Sequence, residues 1–242
     1  MIKHFKKVHE REMFNPKLFG FFFNPFYLIR KGIYKGVKEN AVHLRGKLLD
    51  FGCGSKPYKD LFDVEEYIGL DTQNSGHNHK DESIDVFYDG KTIPFNNNHF
   101  DSVFSSEVFE HVFELEDSLK EIRRVCKPNG HLLITVPFVM SEHEIPYDYA
   151  RYSSYGIKYL LEKNGFQIIN QTKTSNNIQT IFQMWNIYVY QNILKYKKIR
   201  FLLTPIILMP VTTFGIILSQ ILPKSDDFFL TSIVLAKKAS ND

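Results

Sequence analysis

The chain has 242 residues, of which 43% are hydrophobic and 24% charged, with a formal net charge of +3. That is the size of one α/β domain carrying insertions, and the charge is too small to argue for nucleic acid as a partner. Two cysteines, Cys53 and Cys126, exclude a disulfide framework and fit a reducing cytosol, and no Cys/His spacing resembles a structural zinc site, so no metal is expected.

Residues 1–47 carry eleven Lys and Arg against three acids. Phe14, Phe19, Phe21, Phe22, Phe23, Phe26 and Tyr27 interleave with them. Two readings stay open: a surface arm with docking aromatics, or a basic-aromatic surface for anionic lipid or for a lid over the active site. Glu10, Arg11 and Glu12 interrupt the start before any long apolar run, so no secretory signal is expected. Asn24-Pro25 starts a helix over 26–41, which closes an N-terminal segment spanning 1–46.

The core is expected over 47–174. A strand over 47–51 runs into Gly52-Cys53-Gly54-Ser55-Lys56-Pro57, with a helix over 57–62 behind it. A second strand, 67–70, ends on Asp71. The polar loop 73–82 contains His77 and His79, for which metal binding is not expected. Strands follow near 84–88 and over 102–105. Ser118-Leu119-Lys120-Glu121 reads as a capping box, opening a helix that stops at Lys127-Pro128-Asn129-Gly130. An apolar strand over 131–136 comes next, then a helix capped by Ser153 or Ser154 and stopped at Asn164-Gly165, then a strand over 166–170.

Residues 175–226 break this rhythm. A helix rich in aromatics is predicted over 176–196, followed by the basic cluster Lys195, Lys197, Lys198 and Arg200. The stretch 201–223 has no charged residue but contains Pro205, Pro210 and Gly215. Its length suits a membrane span. A single crossing would leave the flanking strands on opposite sides, so a hairpin is predicted, lying in the membrane interface or packed on the core or a partner. The last strand, 228–236, belongs to a segment 227–242 that returns to the core.

Gly52 and Gly54 sit at the carboxyl end of the first strand, where open α/β sheets bind ligands. Ser55-Lys56-Pro57 stands where a dinucleotide turn would place a third glycine, so the site suits a nucleoside without pyrophosphate. Asp71 is positioned to accept ribose hydroxyls, or to cap a helix. Asp50 is expected to order the turn or to meet an ammonium through water. Lys56 either meets a carboxylate or faces solvent. The segment 137–152 is dense in His, acids, Tyr and Arg. His143 is the candidate general base and Asp148 its orienting acid. Tyr147, Arg151 and Tyr152 are candidate acceptor ligands, with an Arg151–Asp148 clamp as the alternative for Arg151.

The Asp-x-Gly-Cys-Gly turn, the acid ending strand two, Asp89-Gly90 with Ile93-Pro94-Phe95, Phe100-Asp101-Ser102-Val103, Glu110-His111-Val112 and Lys-Pro-Asn-Gly together resemble class I S-adenosylmethionine-dependent methyltransferases of type 11. The resemblance covers about residues 45–170. It implies a Rossmann-like, doubly wound sheet of about seven strands with the last strand antiparallel and an apolar helical insertion before it. It implies S-adenosylmethionine as cofactor, with Asp50, Gly52, Cys53 and Gly54 at the methionine turn, Asp71 on the ribose, Asp89 and Gly90 at the adenine, and Ser106 near the sulfonium. Glu110-His111 belongs to the shared pattern and is read as ordering a helix start. The segment after strand five resembles methyltransferases of surface-polysaccharide biosynthesis. The expectation is O-methylation of a sugar or glycan by a cytoplasmic enzyme, peripheral at the inner membrane face through 1–31 and 195–223, with a homodimer contact left open. A lipophilic acceptor such as a quinone precursor is the rival substrate, and a non-catalytic S-adenosylmethionine-binding scaffold is the rival class. A nucleotide-sugar oxidoreductase is disfavoured by the missing third glycine.

Overall fold

The computed structural model describes residues 11–73 and 83–240. His77 and His79, with most of the polar loop around them and the first ten residues of the basic arm, lie outside the described residues. The chain divides into two compact units: Gly36–Thr172 with Ser232–Asp242, and the segments up to Lys35 and over Lys173–Thr231.

The first of these units is built on the apolar strand β1 (Lys47–Phe51), in which Leu48, Leu49 and Phe51 are buried. A strand apolar on both faces belongs in the middle of a parallel sheet. β1 pairs in parallel with β2 (Glu66–Thr72) on one side and β4 (Phe100–Ser106) on the other, placing Asp50 between Gly69 and Phe104. β3 (Val86–Tyr88) pairs with β2, and β5 (Cys126–Pro137) with β4. With β6 (Phe166–Lys173) and β7 (Thr231–Lys238) they form one seven-stranded mixed sheet, ordered β3-β2-β1-β4-β5-β7-β6. The last strands are antiparallel, as expected. Strand order reverses between β1 and β4, which opens a crevice at their carboxyl ends.

Helix α3 (Leu115–Val125) buries Leu115, Leu119, Ile122 and Val125, and helix α4 (Ser154–Lys163) buries Ile157 and Leu161, all in the same apolar cluster as β1, β4 and β5. Ser153 caps α4, its Oγ accepting from the Gly156 N–H at 3.1 Å.

Three local expectations are corrected. The predicted helix over 57–62 is a single 3-10 turn, Lys59–Leu61, because Lys56 adopts a φ of 55° and redirects the chain. Ser118 does not open α3, which begins three residues earlier. Ser118 is buried, and Glu121 accepts from the Ile93 N–H (2.9 Å) and from Arg124 (2.7 Å) rather than closing a capping box. Lys127–Gly130 is a bulge inside β5 rather than a stop before it: pairing jumps from Phe100↔Cys126 to Ser102↔His131, with Asn129 at a φ of 61°.

The second unit contains α1 (Leu18–Phe23), the start of α2 (Tyr27–Asn40), α5 (Asn177–Tyr188) with a π-turn over Val189–Ile193, and α6 (Lys197–Ile221). The predicted hairpin over 201–223 is corrected to this single helix, which runs through Pro205 and Pro210. Hydroxyl groups bond back along it, Thr204 Oγ1 to the Arg200 carbonyl (2.7 Å) and Thr213 Oγ1 to the Met209 carbonyl (2.9 Å). It is also clasped by α5: Asn186 Nδ2 donates to Thr212 Oγ1 (2.8 Å), and a Cβ on Gly215 would come within 2.7 Å of Phe182. Close helix packing of this kind outweighs the local cost of proline. Residues 200–221 are long and apolar enough to cross a membrane, and 22% of that apolar window is buried.

Candidate active site

The turn after β1 is fixed from below. The Gly52 and Cys53 N–H groups both donate to the Leu70 carbonyl, at 2.9 and 3.1 Å. Gly52 has a φ of 73°, and a Cβ there would lie 2.5 Å from Val108 Cγ2, so only glycine fits. Asp71 Oδ2 accepts from the Gly54 N–H (2.9 Å) and its Oδ1 from the Thr72 N–H (2.8 Å), so the acid ending β2 also fastens the turn.

Asp50 is buried under the turn and accepts a hydrogen bond from the Tyr67 hydroxyl. Burial pushes its carboxyl up from 3.8 to about 7; the Tyr67 bond opposes the rise and Asp71 adds to it. Asp50 thereby orders the turn from below. Cys53 is buried, which pushes its thiol well above the ordinary value. Lys56 neither faces solvent nor points at a ligand carboxylate. Its side chain is 7% exposed, crosses over Gly69, and bonds Asp85 at 2.6 Å, while Asp85 accepts from the Gly69 N–H at 2.7 Å. Burial works against ionisation of Asp85, and these two bonds outweigh it, holding its carboxyl below the usual range.

Beyond β3, Asp89 Oδ1 accepts from the Lys91 and Thr92 N–H groups at 2.8 and 2.9 Å. Gly90 has a φ of 80°, and among the described residues only Thr72 Cγ2, at 3.8 Å, approaches where its Cβ would be. At the end of β4, Ser106 Oγ lies 2.9 Å from Thr135 Oγ1, which in turn donates to Glu107 Oε1 at 2.9 Å. The carboxyl edge of β1, β2, β3 and β4 therefore carries an acid at the turn, an open glycine cradle and small hydroxyls. S-adenosylmethionine fits these residues, because an acid stands at the end of β2 and Gly90 leaves room for a flat ring.

Polar groups gather after β4 and β5. Glu110 is fully buried, and among the described residues neither of its carboxylate oxygens has a hydrogen-bond partner. Burial, then the nearby Glu107 carboxylate, raise it well above the ordinary range. Its Oε1 lies 3.7 Å from His111 Nε2 and 3.9 Å from His143 Nε2. The rings of His111 and His143 meet edge to face at 4.8 Å. His143 Nδ1 faces the Ser141 carbonyl (3.2 Å) and Asp148 Oδ2 (3.3 Å), and its backbone N–H also donates to Asp148, at 2.9 Å. Burial, then His111, lower the His143 basicity, so its imidazole is neutral near pH 7. Asp148 is held at about 2 by its paired bonds to Arg151. Arg151 also donates to the carbonyls of Met140, Ala150 and Ser141, so all five of its N–H groups are used inside the loop. That geometry is the internal Arg151–Asp148 clamp. Tyr147 is 38% exposed, and its carbonyl takes the His111 Nδ1 bond at 2.9 Å; Tyr152 is half-buried.

The expected donor residues thus share one edge of the sheet, and His143, Asp148 and Arg151 form one cluster. Glu110 and Glu107 carry more of that cluster than the sequence suggested. The available signal was an acidic pair placed directly past a buried strand.

Residues 49–134 match the family described as "Methyltransferase domain". No curated protein matches the chain. Among solved structures, the [4+2]-cyclase SpnF is 16% identical, with 88% of this chain and 82% of that one covered at a TM-score of 0.55. Haemonchus contortus phosphoethanolamine N-methyltransferase 2 in complex with S-adenosyl-L-methionine is 17% identical, covering 95% and 59% at 0.52. An S-adenosylmethionine-dependent methyltransferase from Mesorhizobium loti is 11% identical, covering 87% and 100% at 0.51. These likenesses are of fold, and one of the three folds is called a cyclase. Residues 49–134 thus carry a methyltransferase domain, on the α/β fold of class I S-adenosylmethionine-dependent methyltransferases. The chain is an enzyme carrying that domain, and its methyl donor is S-adenosylmethionine.

Proposed function

We propose that the protein methylates a hydroxyl of a sugar or glycan intermediate at the cytoplasmic face of the membrane. The observation that carries this reading is the polar cluster of His143, Asp148 and Arg151 on segment 137–152, set against the buried Glu110, with His143 neutral and Tyr147 and Tyr149 (38% and 45% exposed) beside it. A hydroxyl needs help to lose its proton, whereas an amine acceptor needs less. Exposed tyrosines offer flat apolar faces and hydroxyls, which suit a sugar ring.

When bound, S-adenosylmethionine supplies an electrophilic methyl on a positively charged sulfur. Asp71 holds the ribose hydroxyls, and Asp89 with Gly90 receives the adenine. Ser106 lines the donor end of the site. Asp148, locked by Arg151, orients the His143 ring, and the acceptor hydroxyl is activated at His143 Nε2. The polar cluster then excludes loose water while oxygen and methyl are aligned.

Contact with the membrane is assigned to 1–31 and 195–223. The exposed apolar face of α6 supports this, with Leu202 and Ile206 each 67% exposed and Ile221 73% exposed. The same face favours a second reading, a lipophilic acceptor such as a quinone precursor, and it is also where a second copy of the chain would dock. An incubation with labelled S-adenosylmethionine and separated membrane and soluble extracts tests the reading. Label in a carbohydrate-bearing membrane fraction is expected; label only on soluble amines would refute it.

A further inference from the structure

We infer that Glu110, His111 and His143 form a binding site for one divalent cation of the zinc or manganese type. The three side chains offer one carboxylate oxygen and two imidazole nitrogens, all within 4.8 Å of one another. Their local bonding fixes which atoms face inward. His111 Nδ1 meets the Tyr147 carbonyl at 2.9 Å, and His143 Nδ1 meets the Ser141 carbonyl at 3.2 Å and Asp148 Oδ2 at 3.3 Å. The carbonyls and Asp148 are acceptors, and Arg151 Nη2, 3.5 Å from His143 Nδ1, spends its hydrogens on the nearer Asp148 (2.7 Å) and Ser141 (3.2 Å), so each Nδ1 is assigned the ring proton and each Nε2 the lone pair. Both Nε2 atoms face Glu110 Oε1, at 3.7 and 3.9 Å.

Three groups that can each give an electron pair to a cation therefore converge. Glu110 is fully buried with both oxygens unpartnered, and His111 Nε2 is buried and unpartnered too. Buried polar atoms without partners are costly, and a cation satisfies all three at once. A second histidine contact of the kind made by Tyr147, Ser141 and Asp148 is the usual support for metal-binding imidazoles. Two imidazoles and one carboxylate suit zinc, manganese or iron(II) better than magnesium or calcium. Bonds of about 2.0–2.2 Å put tetrahedral ligands about 3.3 Å apart, so the side chains draw in by roughly 0.5–1.5 Å on binding. Three protein ligands leave coordination positions open, and the side chain of His143, 28% exposed, marks the side from which another molecule enters.

This site departs from the expectation of no metal, which weighed Cys/His spacing and the loop residues His77 and His79 but not Glu110, His111 and His143 together. Its role, though not its existence, rests on the hydroxyl-acceptor reading. An acceptor hydroxyl that coordinates the ion loses its proton to solvent more readily. Its oxygen then forms the bond to the methyl carbon as the carbon–sulfur bond breaks, and that electron pair stays on sulfur. His143 thus activates the hydroxyl through the ion instead of taking the proton itself.

The test uses the full chain stripped with a chelator and titrated by calorimetry with zinc, manganese and magnesium, with metal content then measured by mass spectrometry. One zinc or manganese per chain and no comparable magnesium uptake are expected. His111→Ala and His143→Ala should abolish stoichiometric binding, and Asp148→Asn should weaken it about 10–100-fold. S-adenosylmethionine affinity and circular dichroism, unchanged in each variant, exclude misfolding. Wild-type protein that binds no ion, or binds it equally well without either histidine, overturns the inference. So does full methyl transfer to a hydroxyl by the stripped protein, a result that would leave the acceptor reading standing. An ion bound with no hydroxyl methylation would instead keep the site and sink the acceptor reading.

Discussion

At the residue scale, Asp50 links the turn to stability. Its carboxyl is raised from 3.8 to about 7 by burial, so the native state holds a proton that the unfolded chain releases. The contribution is fully present below about pH 4 and is lost as pH rises through about 7, a difference of about 4 kcal/mol in the limit. Asparagine keeps the shape and can still accept the Tyr67 hydroxyl. Asp50→Asn should therefore gain stability relative to the parent as pH rises over that window and hold a constant advantage above it, measured by thermal melts. Parallel melting curves across the window would contradict this. The acid in the turn was legible because it sits between an apolar strand and two glycines. Its partner Tyr67 was not, because strand pairing (Asp50 opposite Gly69) brings it close and sequence order does not. Lys56 shows the same limit: its burial depends on Gly69 and on Asp85, which lies 29 residues away.

At the element scale, the parallel strands were readable from their apolar runs and the turn residues between them. The misjudged elements are those where packing overrides local signals. The box at Ser118 falls inside α3 because the apolar stripe begins at Leu115. α6 continues through two prolines because α5 holds it with Asn186 and Phe182. The strands that precede and follow this insertion, β6 and β7, belong to one sheet, so one crossing of a bilayer is excluded and α6 lies along the interface in the proposed reading. The protein should float with vesicles containing anionic lipid. Replacing exposed Ile206 and Ile217 with aspartate should reduce flotation at least severalfold and leave S-adenosylmethionine affinity unchanged. Undiminished flotation of the double variant would move the contact elsewhere. A shift of the parent protein to a dimer in solution, abolished by the same substitutions, would assign the face to a second copy.

At the scale of the whole molecule, the donor half and the acceptor half of the site differ in how far sequence reaches. Gly52, Gly54, Asp71, Asp89 and Gly90 lie at strand ends, so topology alone gathers them on one edge. The acceptor cluster depends on the path of 137–152, where the Tyr149 and Ala150 N–H groups reach back to the Glu110 carbonyl at 2.8 and 3.3 Å. No periodicity announces such a return, and this is why Glu110 read as a helix-start residue and not as the centre of a cluster. In the proposed function this cluster activates a carbohydrate hydroxyl for methyl transfer. Its most direct test takes purified protein, labelled S-adenosylmethionine and membrane-fraction acceptor, then locates the labelled methyl by hydrolysis and linkage analysis. The methyl is expected on a sugar oxygen, with S-adenosylhomocysteine formed in equal amount. A methyl on nitrogen, carbon or a quinone ring would contradict it.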